Sequence, residues 1–316
     1  MNSEVSEMEC GGAEGNGCRT FDLSDLPQDC IAAIISCTSP RDACRLSLVS
    51  TAFKPASESD AVWESFLPSE CRASIPSLIC CPSKKQLYLS LCENPLLIDG
   101  GRKSLQFEKG SGKKIYMLSA RDLSIVWGDT PSYWRWISMP ESRFEEVAEL
   151  INVCWFEIRG KIAISMLSPM THYKAYLVFK PTTGAYGFDF HPAEVSFGVV
   201  GTEGCKRNVY LSADRGVRQR YHIVPRRIGL FGRSRFLGLQ TPVPTTAAGN
   251  DDQYPKARGD GWLEIELGEF FNDGSADGEL EMSVMEVRGG HWKGGLIVQG
   301  MEIRPDMKKK ESSSSS

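Results

Sequence analysis

The 316-residue sequence predicts an α+β protein in two parts. A small all-α unit spans residues 20–67, and an all-β sandwich of the jelly-roll type spans 111–305. Three observations carry this reading. Apolar residues recur at helical spacing up to residue 67, and from Gly112 the period changes to two. Beyond that point short strand-like runs alternate with Gly, Pro and Asp turns, the pattern of an antiparallel sandwich.

Leu26-Pro27 opens the first helix, with Pro27 near its start, where a missing N–H costs nothing. Ser24 and Asp25 are both able to cap it. Ile31, Ile34 and Ile35 then form an apolar stripe. Pro40 interrupts the pattern, and residues 42–52 resume it with Leu46, Leu48 and Val49, followed by Phe53. A third short helix carries Val62, Trp63, Phe66 and Leu67, and Pro68 ends it. A unit of this size is marginal alone and persists by docking onto something larger.

Residues 68–110 read as a connector with one helix over 83–92, bearing Leu87, Leu89 and Leu91. Strand-like runs follow at 173–179, in KPTTGAYGF, and at 261–267, 280–287 and 296–303. Leu263, Ile265 and Leu267 alternate with Glu264 and Glu266, as in a half-buried antiparallel strand. The spacing in ESRFEEVAEL predicts a helix over 141–150. Residues 206–258 break the rhythm, with Arg207, Arg215, Arg218, Arg220, Arg226, Arg227, Arg233 and Arg235. Most of this stretch reads as a long exposed loop between two strands. Residues 1–19 and 306–316 read as disordered tails.

Thirty-six basic and 40 acidic residues leave a net charge of -4, so no global field points to nucleic acid or to an anionic membrane. The first twenty residues lack the basic and apolar regions of a signal peptide. No run reaches the 18 apolar residues of a membrane-spanning helix. Eleven cysteines without a CxxC pair favour unpaired thiols in a reduced compartment, cytoplasmic or nuclear.

The LPQDCIAAII opening, DACRLSLVSTAF middle and DAVWESFLP close of the helical unit resemble an F-box. That resemblance implies docking to a Skp-family adaptor, and through it to a cullin. In F-boxes the LP opening and the stripe after it face the adaptor, which here means Leu26, Pro27, Ile31, Ile34 and Ile35. Residues 113–305 resemble the phloem protein 2 lectin-like family of plants. Their motifs include ARDLSIVWGDTPSYWRWI, CWFEIRGKIAISMLS, GDGWLEIELGEFFN and EMSVMEVRGGHWKGGLIVQGMEIRP. This resemblance implies a lectin-type sandwich, in a family where some members bind N-acetylglucosamine oligomers or N-glycan cores.

A sugar site needs an aromatic platform and fixed polar partners. Trp127 and Trp134 flank the GDTPSY turn with Tyr133 and Trp136 beside them, and Glu279 and Glu286 lie seven apart on a late strand. The resemblance makes Trp127, Trp134, Glu279 and Glu286 the carbohydrate-binding candidates. Trp155, Trp262 and Trp292 sit in apolar or strand-like contexts and read as core, and His291 reads as structural.

Together these features describe a non-catalytic specificity subunit of a Skp–cullin–F-box ubiquitin ligase, needing no cofactor, metal, nucleic acid or membrane. Its client is held through a glycan. The alternative is a protein or phosphorylated epitope, and burial of Trp127 or Trp134 would favour that alternative. A glycoside-processing enzyme using Glu264 and Glu269 would need two convergent carboxyl groups in a cleft. The strand pattern around Glu264 argues against one.

Overall fold

The computed structural model describes residues 26–68, 81–189, 191–202, 204–212 and 253–307. Both tails beyond these bounds, the caps Ser24 and Asp25, and the arginines from Arg215 to Arg235 lie outside the described residues. The α+β class holds: a group of short helices precedes a large domain of two packed sheets.

Four helices build the first unit: α1 (Gln28–Ser36), α2 (Pro40–Leu46), α3 (Phe53–Glu58) and α4 (Asp60–Ser65). Pro27 occupies the N-cap of α1 without a side-chain bond. Ser39 caps α2 by accepting the Asp42 N–H, and Pro40 fills its first position. Ile31, Ile35, Ala43, Ala56, Val62 and Trp63 bury together, and the Trp63 indole donates to the Ser57 carbonyl at 2.7 Å. Helix α5 (Lys84–Glu93), capped by Ser83, lays Leu87, Tyr88 and Leu91 onto that core.

The β domain starts earlier than its sequence pattern, at β1 (Leu96–Ile98) and β2 (Lys103–Phe107). It continues through β3 (Lys114–Ser119), β4 (Ser124–Ile125), β5 (Trp134–Ile137), β6 (Val147–Leu150) and β7 (Phe156–Ala163). Next come β8 (Thr171–Tyr186), β9 (Ala193–Val199) and β10 (Cys205–Val209). The last are β11 (Lys256–Ala257), β12 (Leu263–Asn272), β13 (Glu279–Glu286) and β14 (Gly294–Pro305). The larger sheet runs β1-β2-β3-β14-β8-β12-β11, with β6 beside β14 and β5 beside β6; the smaller runs β10-β9-β13-β7-β4. Inward residues such as Leu177, Phe179, Ile265, Phe156, Ile158, Met282 and Val284 fill the space between them. The same core cluster extends into the helical unit.

Two expectations are corrected. Residues 141–150 form a turn and then strand β6, which pairs with β5 and β14. Phe144 and Val147 do face apolar surroundings, but those surroundings are Met117, Val178, Trp262 and Ile297 on the outer face of the large sheet. Tertiary pairing overrides the helix-forming composition. The Arg-rich stretch also carries strand at both ends, since β10 runs through Val209 and β11 spans Lys256–Ala257.

Candidate functional site

Two regions carry groups that could act on another molecule: the outer surface of the helical unit, and one end of the sandwich.

On the helical unit, Ile31 and Ile35 turn inward and fill the core, so they are unavailable to a partner as folded here. This corrects the expectation for those two residues. Ile34 lies about 100° around the helix from Ile35, at the edge of the stripe, so the core takes Ile31 and Ile35 and leaves Ile34 outside. Pro27 and Ile34 are exposed, Ile34 at 48%, while Leu26 is half-buried against the core. The chain leaves α2 at Leu46, and the turn after it presents Leu48, at 87% exposure, and Val49. Helical spacing had placed both on the buried stripe.

The other region lies where β7, β9 and β14 begin and β8, β10 and β13 end. Trp134, at 2% exposure, is core and packs on Phe156 with ring centroids 6.2 Å apart. Its indole donates to the Val126 carbonyl at 3.2 Å, and the Trp136 indole donates to the Gly128 carbonyl at 3.1 Å. These two bonds clamp the turn that carries Trp127. Trp127 has φ 58°, an uncommon region for a bulky residue, and remains 42% exposed beside Tyr133. Trp134 therefore shapes the loop that presents Trp127 and is not itself a surface.

Glu286 is buried in an ion pair with Lys293, whose own exposure is 0%. One Glu286 oxygen also accepts the Gly289 N–H, and the lysine ammonium donates to the Cys154 carbonyl at 3.2 Å. The pair commits the carboxylate to Lys293 and the Gly289 amide, at 4% exposure. Glu279 begins β13 and Glu286 ends it, so the two carboxylates stand roughly 20 Å apart along the strand. Of the four sugar candidates, only Trp127 is both exposed and at this end.

Trp155 and Trp292, expected in the core, and His291, expected to be structural, gather at this end. Trp155 and Trp292 are exposed, Trp292 at 54%. The Trp155 indole donates to Glu157 at 2.8 Å, and Arg159 donates to the other Glu157 oxygen and to Glu281. The Trp155 bond, followed by that of Arg159, holds the Glu157 carboxyl below its ordinary value. His191 and His291 stack at 4.9 Å. Beside them opens a cleft of about 470 Å³ lined by His191, Glu194, Asn208, Met285, Glu286 and Arg288. The buried Lys293–Glu286 pair organises both sides: one partner holds the backbone next to Trp155, the other the turn that lines the cleft.

Glu264 is committed to Arg304 and Arg258 at 2.6–2.9 Å, and Glu269 lies beyond a bulge on the same strand. The two do not converge on a cleft. Among the described residues no cluster of three or more His, Cys, Asp or Glu side chains could hold a metal ion.

A helical unit with an apolar outer surface, joined to a two-sheet domain with an exposed aromatic end, has the form of a docking-and-recognition protein. The F-box domain description matches residues 23–65, and the phloem protein 2 description matches residues 113–305. The chain belongs to the phloem protein 2 family, in a form that carries an F-box. It is 46% identical over 301 residues to F-box protein PP2-B1 of Arabidopsis thaliana, covering 89% of each chain. It is 50% identical over 283 residues to putative F-box protein PP2-B12 of the same plant, covering 89% of this chain and 97% of that one.

Proposed function

We propose that this protein is the substrate-recognition subunit of a Skp–cullin–F-box ubiquitin ligase, acting in the cytoplasm or nucleus and without catalysis of its own. The observation that carries the docking half is the exposure of Ile34, Leu48 and Val49 on a unit whose other large apolar side chains are spent on its core. Apolar side chains so exposed on so small a unit mark a partner surface, and an F-box supplies the partner's class, a Skp-family adaptor. Tethering then raises the client's effective concentration beside the ubiquitin-charged enzyme. Co-purification with a Skp-family adaptor tests this half. Loss on Ile34→Asp/Leu48→Asp in a folded protein supports it, and retention overturns it.

Burial of Trp134 removes the paired-tryptophan sugar platform, which favours a protein or phosphorylated epitope as what the β domain holds. A specific observation favours the second reading, an N-acetylglucosamine-containing glycan. Trp127, Trp155 and Trp292 are all exposed at one end of the sandwich, near a cleft with a polar rim. Sugars need such an aromatic face with fixed polar partners. A glycan array probed with the whole chain and with Trp155→Ala/Trp292→Ala separates the two. Glycan binding lost in the variant selects the glycan, and silence from both selects the protein epitope.

A further inference from the structure

The hairpin between β2 and β3 does more than close the edge of the large sheet. Its tip, residues 108–113, reaches helix α2 of the helical unit. The Gly110 carbonyl accepts the Arg41 N–H at 3.1 Å. Arg41 is in the first turn of α2, where backbone donors have no partner inside the helix. The Ser39 side chain already serves Asp42, so the hairpin supplies a second cap from a distant part of the chain.

The tip is built to hold that carbonyl in place. One Glu108 oxygen accepts the Gly110 N–H, the Ser111 N–H and the Ser111 hydroxyl, at 2.6–3.1 Å. Burial raises the Glu108 pKa, but these bonds outweigh it and keep the carboxyl below its ordinary value. The Tyr88 hydroxyl of α5 donates to the Glu108 carbonyl at 3.3 Å. Gly112, at φ +73°, lets the backbone run against Pro40; an added Cβ would lie 3.2 Å from the Pro40 ring. Helix α2 has only seven residues, too few to hold itself. Its far end leads directly into the turn that exposes Leu48 and Val49.

We infer that the hairpin tip, through Glu108, Gly110 and Gly112, is a positioning element for adaptor docking. It touches no adaptor, and it fixes α2 so that Leu48 and Val49 are presented in a binding-ready place. The β domain thereby sets the affinity of the helical unit for its adaptor. The inference rests on the docking reading above and goes beyond it.

The test measures the affinity of the full chain for a purified Skp-family adaptor, with the thermal transition and amide exchange at Arg41 recorded for each variant. Glu108→Ala and Gly112→Ala are expected to weaken binding roughly five- to tenfold, the scale of one lost hydrogen bond. The Arg41 amide should exchange faster in both, with the transition temperature held in Glu108→Ala and lowered in Gly112→Ala, whose new Cβ strains the left-handed backbone. Glu108→Gln keeps an acceptor oxygen at the tip and should recover most of the affinity, which a general loss of stability would not explain. Tyr88→Phe, which removes only the hydroxyl, guards against misfolding and should shift affinity in the same direction. Unchanged affinity in variants whose Arg41 amide exchanges faster overturns the inference. Unchanged affinity in Ile34→Asp/Leu48→Asp as well would mean that the docking reading itself has failed.

Discussion

The rings of Tyr88 and Phe107 lie stacked, 5.8 Å between centroids and 13° from parallel. Tyr88 belongs to helix α5 and Phe107 to strand β2, so this contact joins the helices to the sandwich. Trp63 and Phe66 extend the aromatic group into the helical unit. The Gln106 amide donates to the Cys92 carbonyl at 2.7 Å beside it.

Helices and sheets should therefore unfold together. Phe107→Ala is expected to cost about 3–5 kcal/mol, the usual range for emptying a buried aromatic site. Denaturation followed by helix signal and by tryptophan fluorescence should give coincident curves in the parent protein. Separate transitions in the parent would contradict the shared core.

The two isoleucine classes should separate cleanly. Ile34→Asp should leave the melting temperature nearly unchanged while adaptor co-purification is lost. Ile35→Asp should unfold the helical unit, because it places a charge in a closed apolar site. Equal melting temperatures in the two variants would show that the inward and outward assignments are wrong.

The tryptophan loop gives opposite signs for two neighbouring changes. Trp134→Ala should destabilise by about 3–5 kcal/mol through the cavity it leaves. Trp127→Gly relieves a left-handed backbone and should be neutral or slightly stabilising, within about 1 kcal/mol. Calorimetry of both variants checks the order.

The buried pair behaves differently when cut once and when removed whole. Lys293→Met alone leaves an uncompensated buried carboxylate and should cost about 3–5 kcal/mol. Combining it with Glu286→Leu should recover most of that loss. Urea midpoints of the two singles and the double close the cycle.

Acid should strip one identifiable contribution. Burial raises the Glu302 pKa, but the hydrogen bond and charge of Arg258, with Arg304 and Arg143, outweigh it and hold the carboxyl below its ordinary 4.5. A depressed folded value means the stabilisation is complete above the unfolded pKa and disappears as pH falls through the folded one. Stability should hold down to about pH 5 and decline below about 4. Glu302→Gln should show lower stability at pH 7 and a shallower acid decline, measured by urea titration at each pH.

Much of this architecture was legible in the residues. The spacing of Ile31 and Ile35, the alternation of Leu263 to Leu267 and the turn signals between strands each report a local pattern that tertiary structure kept. The failures share a cause. Trp155 and Trp292 stand just outside β7 and β14, where alternation no longer tells which way a side chain points, and their apolar neighbours suggested core. The Trp134 pattern could not reveal that its indole serves a carbonyl eight residues away. Glu286 reads as an ordinary strand carboxylate until Lys293, from another strand's approach, closes over it. Residues 141–150 have a helix's composition, and only their pairing with β5 and β14 decides otherwise.

Strand β8 gives these regions a scale. Its first residues lie beside the hairpin that meets the helices, since the Tyr173 hydroxyl donates to the Lys114 carbonyl. Its last, Tyr186, pairs with Gly294 next to Lys293. Residues 182–185 bulge away from β14, since Pro181 pairs with Leu296 and Tyr186 with Gly294, so from Tyr173 to Tyr186 the strand spans roughly 35 Å. One strand thus acts as a gauge block between the end that meets the helical unit and the aromatic end. Under the proposed ligase role, a cargo held at the aromatic end would be kept at a set distance and bearing, and its lysines would be chosen for ubiquitin by reach before sequence.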